Sequence, residues 1–464
     1  MDQASRIAAY LATEALADDR DRETHELDPV SRFLYFRAKE FYWTLTRLAG
    51  LAHLHDGSRR RRARRHASPK TPLAEFVSPT TRPRVLVDMT ATHRYGLGTG
   101  IQRVVREVAR WAVASGAGLP VVIEDGRLVS YYSHDFLPPT VVITPGDKFL
   151  MLDASFHDTD EYLPIMRRIS AKGGQNVLGL HDLIPLLYPS AISPGFYLDF
   201  RRWFDTMVPS CDAIVCVSQS TAQSLVDYLD AHSYPADALR RVGWWRLGAD
   251  FAAAEIAPSR KAVAIAASRA PFFLSVGTLE PRKGYGSALD AFERLWRSGV
   301  DARYVVIGHA GWQGRLLARR IHDHEEYGQR LFWLDAADDS SLRHLYAHAC
   351  GLVSASIAEG FGLPLAEAAF HGLPVIVSDI PAYREIADEG ATFFPPLDVA
   401  ALSMRLREAL MRGWTTPLRQ PRIATWREST QALMHMIRAD AYQWRFESGR
   451  AVEAPICVAA GGGP

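Results

Sequence analysis

Residues 351–379 read GLVSASIAEGFGLPLAEAAFHGLPVIVSD. An apolar run, GLVSAS (351–356), passes through a glycine turn into a helix-forming stretch near 364–371, and a second apolar run, PVIVSD (374–379), follows. Strand, turn, helix and strand in that order predict two parallel strands joined by a crossover helix. Pro364 suits the first turn of the helix, where its missing N–H costs nothing. Gly360, Phe361, Gly362 and Leu363 would then present backbone N–H groups to an anion.

The same rhythm extends in both directions. Upstream lie FFLSVG (272–277), a helix near 284–297, RYVVIG (303–308), a helix near 313–327, LFWL (331–334) and a helix near 339–349; downstream a helix near 381–387 follows. An earlier series runs VLVD (85–88), a helix near 102–114, VVI (121–123), KFLMLD (148–153), a helix near 161–171, NVLGL (176–180), a helix near 196–207, AIVCV (213–217) and a helix near 219–230. Between 231 and about 270 the rhythm lapses around Pro235, Pro258 and an alanine-rich piece, which marks a boundary. The expected fold is α/β, with two Rossmann-like doubly wound domains facing a cleft.

The expected domains are a helical, basic extension and linker over 1–82, an N-terminal Rossmann-like domain over 83–250, a linker over 251–270 and a C-terminal Rossmann-like domain over 271–420. A helix bearing Trp426 (421–445), returning to the first domain, and a tail (446–464) complete the chain.

Composition excludes several classes. The 464 residues carry 53 Lys+Arg against 52 Asp+Glu, a net charge of +1, and are 48% hydrophobic. Disorder throughout is excluded, and a nucleic-acid role would rest on Arg59 to Arg65 alone, without a basic balance or a reading motif. Cys211, Cys216, Cys350 and Cys457 have neither zinc-ligand spacing nor scaffold density, so no metal site is expected on them. The longest apolar stretch, Ala262 to Val276, is broken by Arg269 and Pro271, and the N-terminus lacks a signal-peptide pattern; the expectation is a cytoplasmic protein. The aromatic and basic stretch 33–65 fits an anionic membrane surface, a helical hairpin packed on the main fold, or an oligomer contact.

Three turns carry the chemistry. Gly96-Leu97-Gly98-Thr99-Gly100, after strand 85–88, opens a helix and reads equally as a phosphate or sugar contact and as a tight turn. Gly277 and Thr278 begin the turn that continues to Arg282-Lys283-Gly284. There an arginine fork beside a lysine point charge makes a clamp for a diphosphate. In the third turn Glu359 lies on the loop and Glu367 points outward near the helix start. Either carboxylate can accept hydrogen bonds from vicinal hydroxyls, and Glu367 can equally serve the helix dipole.

The run SVGTLEPRKG (275–284), VIGHAGW (306–312), the segment from Leu342 to Ile386 and GATFFPPLD (390–398) resemble the donor-binding domain of family 4 glycosyltransferases with the GT-B fold. GTGIQRVVREV (98–108), GLHDLIPLLYP (179–189) and VCVSQSTAQSL (215–225) resemble that family more loosely, and 1–82 is not covered. The resemblance implies a retaining, metal-independent hexosyltransferase without cofactor. Glu359 would contact the donor sugar, Glu367 the ribose, and Arg282 and Lys283 the diphosphate. The family more usually has Arg directly after the strand's Gly, where this chain has Thr278. His181 would approach the transferred sugar. Asp182 would serve either acceptor contact or loop orientation, and the Gly100 and Ile101 amides would complete the phosphate and acceptor side.

The GTLEPRK turn and HDLIPLLYP look most like bacterial mannosyltransferases and rhamnosyltransferases of surface-polysaccharide assembly. GDP-mannose is the first-choice donor and a lipid-linked or lipopolysaccharide-type saccharide the acceptor. The rival readings are an epimerase or phosphorylase of similar fold, and a non-catalytic nucleotide-sugar-binding partner in an assembly complex.

Overall fold

The computed structural model describes residues 83–96, 99–131, 140–232, 234, 241–251, 256–387, 390–412, 423–447 and 450–453. The expected extension over 1–82, Leu97, Gly98 and the end of the tail lie outside them. The chain forms two compact units, each built on its own sheet. Among the described residues no helix is long and apolar enough to cross a membrane.

The first unit takes the described residues of 28–183, 195–248 and 424–464. Its strands are β1 (Val85–Asp88), β2 (Gly118–Glu124), β3 (Arg127–Ser130), β4 (Lys148–Met151), β5 (Gln175–Leu180), β6 (Ala213–Cys216) and β7 (Arg241–Trp244), while β14 (Trp444–Glu447) and β15 (Arg450–Glu453) come from the end of the chain. They lie in the order β15-β14-β7-β6-β5-β4-β1-β2-β3. From β7 to β2 all pairs are parallel, and β3 and β14 join antiparallel at the flanks. Two expectations are corrected here. The stretch 231–270 contains β7 and a helix, Arg260–Ala266. The end of the expected helix segment and the expected tail contribute two strands at one end of the sheet, too short and too polar to show an apolar run.

A helix over Trp426–Ala439 belongs to this unit. Its start is written locally: Thr425 and Glu428 form a reciprocal capping box, Glu428 N–H donating to Thr425 Oγ1 and Thr425 N–H to Glu428 Oε2. The helix packs along Gly100–Ala114, Lys148 Nζ donates to the Ile437 carbonyl at 2.6 Å, and Arg438 donates to that of Ala117. Trp426 is fully buried.

The second unit takes 184–194 and the described residues of 249–423. Its strands are β8 (Phe272–Val276), β9 (Arg303–Ile307), β10 (Leu331–Leu334), β11 (Gly351–Ser354), β12 (Val375–Ser378) and β13 (Thr392–Phe394). All are parallel, in the order β10-β9-β8-β11-β12-β13. Connections therefore run one way from β8 and the other way from β11, so the carboxyl ends of these two neighbours form the switch point where ligands of such sheets bind. The core behind it is aromatic: Phe292 stacks on Tyr304 at 4.3 Å, against Phe273, Leu295 and Trp296.

Gly284 ends the single 3-10 turn Pro281–Lys283 and begins the helix Tyr285–Arg297 in a left-handed conformation, with φ 65°. A Cβ there would come within 2.1 Å of the Ala355 carbonyl oxygen, beyond the end of β11. Gly284→Ala is accordingly expected to cost about 2–3 kcal/mol through backbone strain and collision, measured as a lowered midpoint of thermal unfolding.

Candidate active site

The turn after β8 and the loop after β11 are tied together, because the Ile357 amide donates to the Arg282 carbonyl at 2.9 Å. Across that junction lies Glu359. Its Oε1 accepts Lys283 Nζ at 2.6 Å and Ser356 Oγ at 2.8 Å, and its Oε2 accepts Arg282 Nη1 at 3.3 Å. Arg282 Nε also donates to Glu280 Oε2 at 3.0 Å. The Glu359 side chain is only 8% exposed, and those of Lys283 and Arg282 are 14% and 19% exposed. Burial alone would raise the Glu359 carboxyl. The charges of Lys283 and Arg282 and the hydrogen bonds from Lys283 and Ser356 outweigh it and hold the group down at about 2. Lys283, Arg282 and the ionised Glu359 thus meet at the switch point, with Glu280 also bound to Arg282.

Tyr383, from the helix Pro381–Ala387, supplies a further donor to Glu359 Oε1 at 3.3 Å and lies 2.5 Å from Ser354 Oγ. Neither Tyr383 nor Ser356 was singled out from the sequence; the signal available was their place in the loop after β11 and the helix after β12.

Gly362, with φ 103°, is the N-cap of the helix Leu363–Phe370, and Pro364 occupies its first turn. Gly360 and Phe361 are buried in the preceding loop, and Leu363 is partly buried. Glu367 does not point outward. It is 3% exposed, and Tyr346 Oη donates to its Oε2 at 2.9 Å. The reason is legible in LPLAEAAF, which is apolar around its circumference: a helix apolar on every face is buried on every face. Tyr346 in turn stacks on His371, centroids 5.6 Å apart. Gly277 takes φ 138°, a conformation open to glycine, its carbonyl accepts Tyr285 Oη at 2.7 Å, and Thr278 follows it half-buried.

His181, Asp182, Gly100 and Ile101 belong to the first unit, and the Glu359 cluster to the second. His181 follows β5, and its Nε2 lies 2.8 Å from the Leu152 carbonyl. A carbonyl can only accept, so Nε2 carries the proton and Nδ1 the lone pair. Burial lowers the imidazole to about 4, against the opposing carbonyl hydrogen bond. Because the unfolded chain then binds a proton that the folded one refuses, stability from this site is lost as pH falls from about 6.5 towards 4. His181→Asn is expected to flatten that part of the melting-temperature profile, and a variant as acid-sensitive as the parent would contradict the assignment. Asp182 is half-buried. Gly100 opens the helix Gly100–Ala114 behind the N-cap Thr99, whose Oγ1 faces the Gln102 amide, so the Gly100 and Ile101 amides belong to the first turn. Gly98 lies outside the described residues.

Two carboxylates not anticipated from the sequence end β1 and follow β4. Asp88 is fully buried and accepts Thr90 and Tyr162 hydroxyls; Asp153 accepts the amide and hydroxyl of Thr92. Burial pushes both upward from the ordinary carboxylate range. They fix the helix Thr90–Tyr95 that leads to the first glycine turn.

Residues 259–421 match the family model described as glycosyl transferases group 1. They are a group 1 glycosyltransferase domain. The Glu359 cluster lies wholly inside it.

Over 339 residues the chain is 33% identical to the serotype-specific mannosyltransferase WbdA of Escherichia coli, an alignment covering 68% of this chain and 40% of that protein. The chain thus spans about two fifths of the length of the WbdA proteins it matches. It is 26% identical to the O-antigen chain mannosyltransferase RfbU of Salmonella typhimurium strain LT2, over 58% of this chain and 67% of that one. Among solved structures, the trehalose-6-phosphate synthase OtsA covers 77% of this chain and 98% of its own, with a TM-score of 0.55 at 12% identity. At that identity the likeness establishes the fold alone. The glycosyltransferase domain is accordingly the second Rossmann-like domain of a GT-B fold.

Proposed function

We propose that this chain moves a sugar, mannose in the first instance, from a nucleoside diphosphate to a hydroxyl of a saccharide acceptor, with retention at the anomeric carbon, in assembly of a bacterial surface polysaccharide. The observation that carries the reading is the convergence of Lys283 and Arg282 on Glu359 at the β8–β11 switch point. A diphosphate asks for two adjacent cations, and a sugar for a carboxylate beside them. The names of the WbdA and RfbU relatives favour mannose and an O-antigen type of acceptor.

In this reading Glu359 accepts hydrogen bonds from donor-sugar hydroxyls, Glu367 from the ribose, and Lys283 and Arg282 stabilise charge growing on the leaving diphosphate. The acceptor oxygen bonds to the anomeric carbon on the face from which the phosphate oxygen departs, and that departing oxygen takes the acceptor's proton. No residue is required as covalent nucleophile. The N-terminal helix dipole of Leu363–Phe370 adds to the cations, and turnover is expected to survive EDTA. His181 and Asp182 serve the sugar and acceptor side, with Gly98, Gly100 and Ile101. The aromatic and basic stretch 33–65 offers peripheral contact with the inner membrane.

The test is a panel of nucleoside diphosphates and their sugars, scored by thermal shift and by slow donor hydrolysis without acceptor. Stabilisation by GDP with hydrolysis of GDP-mannose supports the reading. Another diphosphate in its place would move the donor, and binding of none would remove the transferase reading at its base.

A further inference from the structure

Glu359 holds the cations that a diphosphate would need. Lys283 Nζ, at 2.6 Å, and Arg282 Nη1, at 3.3 Å, are already committed to its two oxygens. Any phosphate ligand must therefore compete with an internal carboxylate for the same charges. When the cations turn to the ligand, a carboxylate whose side chain is 8% exposed loses its two strongest partners, a heavy penalty unless neutral donors stay behind.

Two such donors are in place. Ser356, with no exposed surface, donates to Oε1 at 2.8 Å, and its own carbonyl is pinned by Ser378 Oγ at 2.6 Å. Tyr383 is 2% exposed, and its hydroxyl sits 3.3 Å from Oε1 and 2.5 Å from Ser354 Oγ. With Ser354 donating to Tyr383 Oη, the single phenolic proton is left for Glu359. Burial and the Glu359 charge both push the phenol far above its ordinary range, so it remains a donor throughout the working pH range. The ring is wedged beneath the N-cap of the helix Leu363–Phe370: a Cβ on Gly362 would lie 2.7 Å from Tyr383 Cε1.

We infer that Tyr383 is a positioning residue for Glu359, holding the carboxylate with Ser356 while a phosphate ligand takes Lys283 and Arg282 from it. The inference rests on the nucleotide-sugar reading of the site. It makes the diphosphate and sugar ends of the donor interdependent: the carboxylate is released to accept sugar hydroxyls only as the phosphates bind, and the ease of release is set by a tyrosine on the helix Pro381–Ala387.

The test is a double-mutant cycle on the full chain, titrating GDP, UDP and ADP by calorimetry. Glu359→Gln removes the competing charge and is expected to tighten the bound diphosphate. Tyr383→Phe leaves Glu359 more dependent on the cations and is expected to weaken it by about three- to tenfold. In the Glu359→Gln background the Tyr383→Phe effect should vanish, because a neutral amide no longer competes. A Tyr383→Phe loss of equal size in both backgrounds would make the tyrosine merely structural and overturn the inference, as would weaker binding to Glu359→Gln. Should Tyr383→Phe fail to fold, Ser356→Ala carries the same expectation through the other hydroxyl. If the parent binds none of the three diphosphates, the donor-site reading itself has failed and the inference falls with it.

Discussion

Lys283→Ala is expected to lower kcat/KM for donor hydrolysis and transfer by about two to three orders of magnitude. Lys283 closes a single 3-10 turn immediately before the left-handed Gly284, so its side chain leaves the backbone at the carboxyl end of β8 with little freedom. Its ammonium lies 2.6 Å from Glu359. On the proposed reading, removing it takes a charge from the place where the leaving diphosphate becomes more anionic, and it leaves a buried carboxylate with Arg282 as its remaining cation. Both effects act on the transition state. Steady-state kinetics separate the outcomes: a fall in kcat supports the role, whereas a rise confined to KM would reduce Lys283 to ground-state binding.

Glu359→Ala is expected to cost about two to three orders of magnitude in kcat as well, with the opposite signature in binding. On the proposed reading, the variant loses the acceptor of the sugar's hydroxyls yet frees Lys283 and Arg282, so nucleoside diphosphate affinity should not fall. A variant that kept its turnover would place the sugar elsewhere. Lost diphosphate binding would mean that the ion pair preorganises the cations instead of occupying them. Glu367→Ala, anchored separately through Tyr346, should mainly weaken the nucleotide and leave kcat comparatively intact.

Most of the framework was legible, because parallel sheets buried on both faces write themselves as short apolar runs between amphipathic ones. Strands β8, β9, β11 and β12 read directly from such runs, as did the turns that follow them. What the runs do not carry is adjacency. Lys283 and Glu359 are separated by 76 residues, and only the pairing of β8 with β11 brings them into contact. The inward turn of Glu367 was readable from its apolar helix but was obscured by the ordinary preference of glutamate for water. Tyr383 stayed hidden because an aromatic residue on a short helix reads as packing, and its hydroxyl contact depends on the loop that crosses above it. Strands β7, β14 and β15, four residues each, form the end of the sheet beyond β6 and gain their order from the neighbours they join.

The helix Trp426–Ala439 closes the first unit with residues made after the whole second sheet. During synthesis the ribosome releases β1 to β7 long before this helix exists, so the face of Gly100–Ala114 that it will cover, the buried Lys148 ammonium that its Ile437 carbonyl will accept, and the backbone groove at Gly248 where Trp426 seats must all wait. The glycosyltransferase domain, by contrast, has its whole sheet by residue 394. The middle of the chain can therefore mature before its beginning, and a truncation ahead of Thr425 would harm the unit farthest from it in sequence.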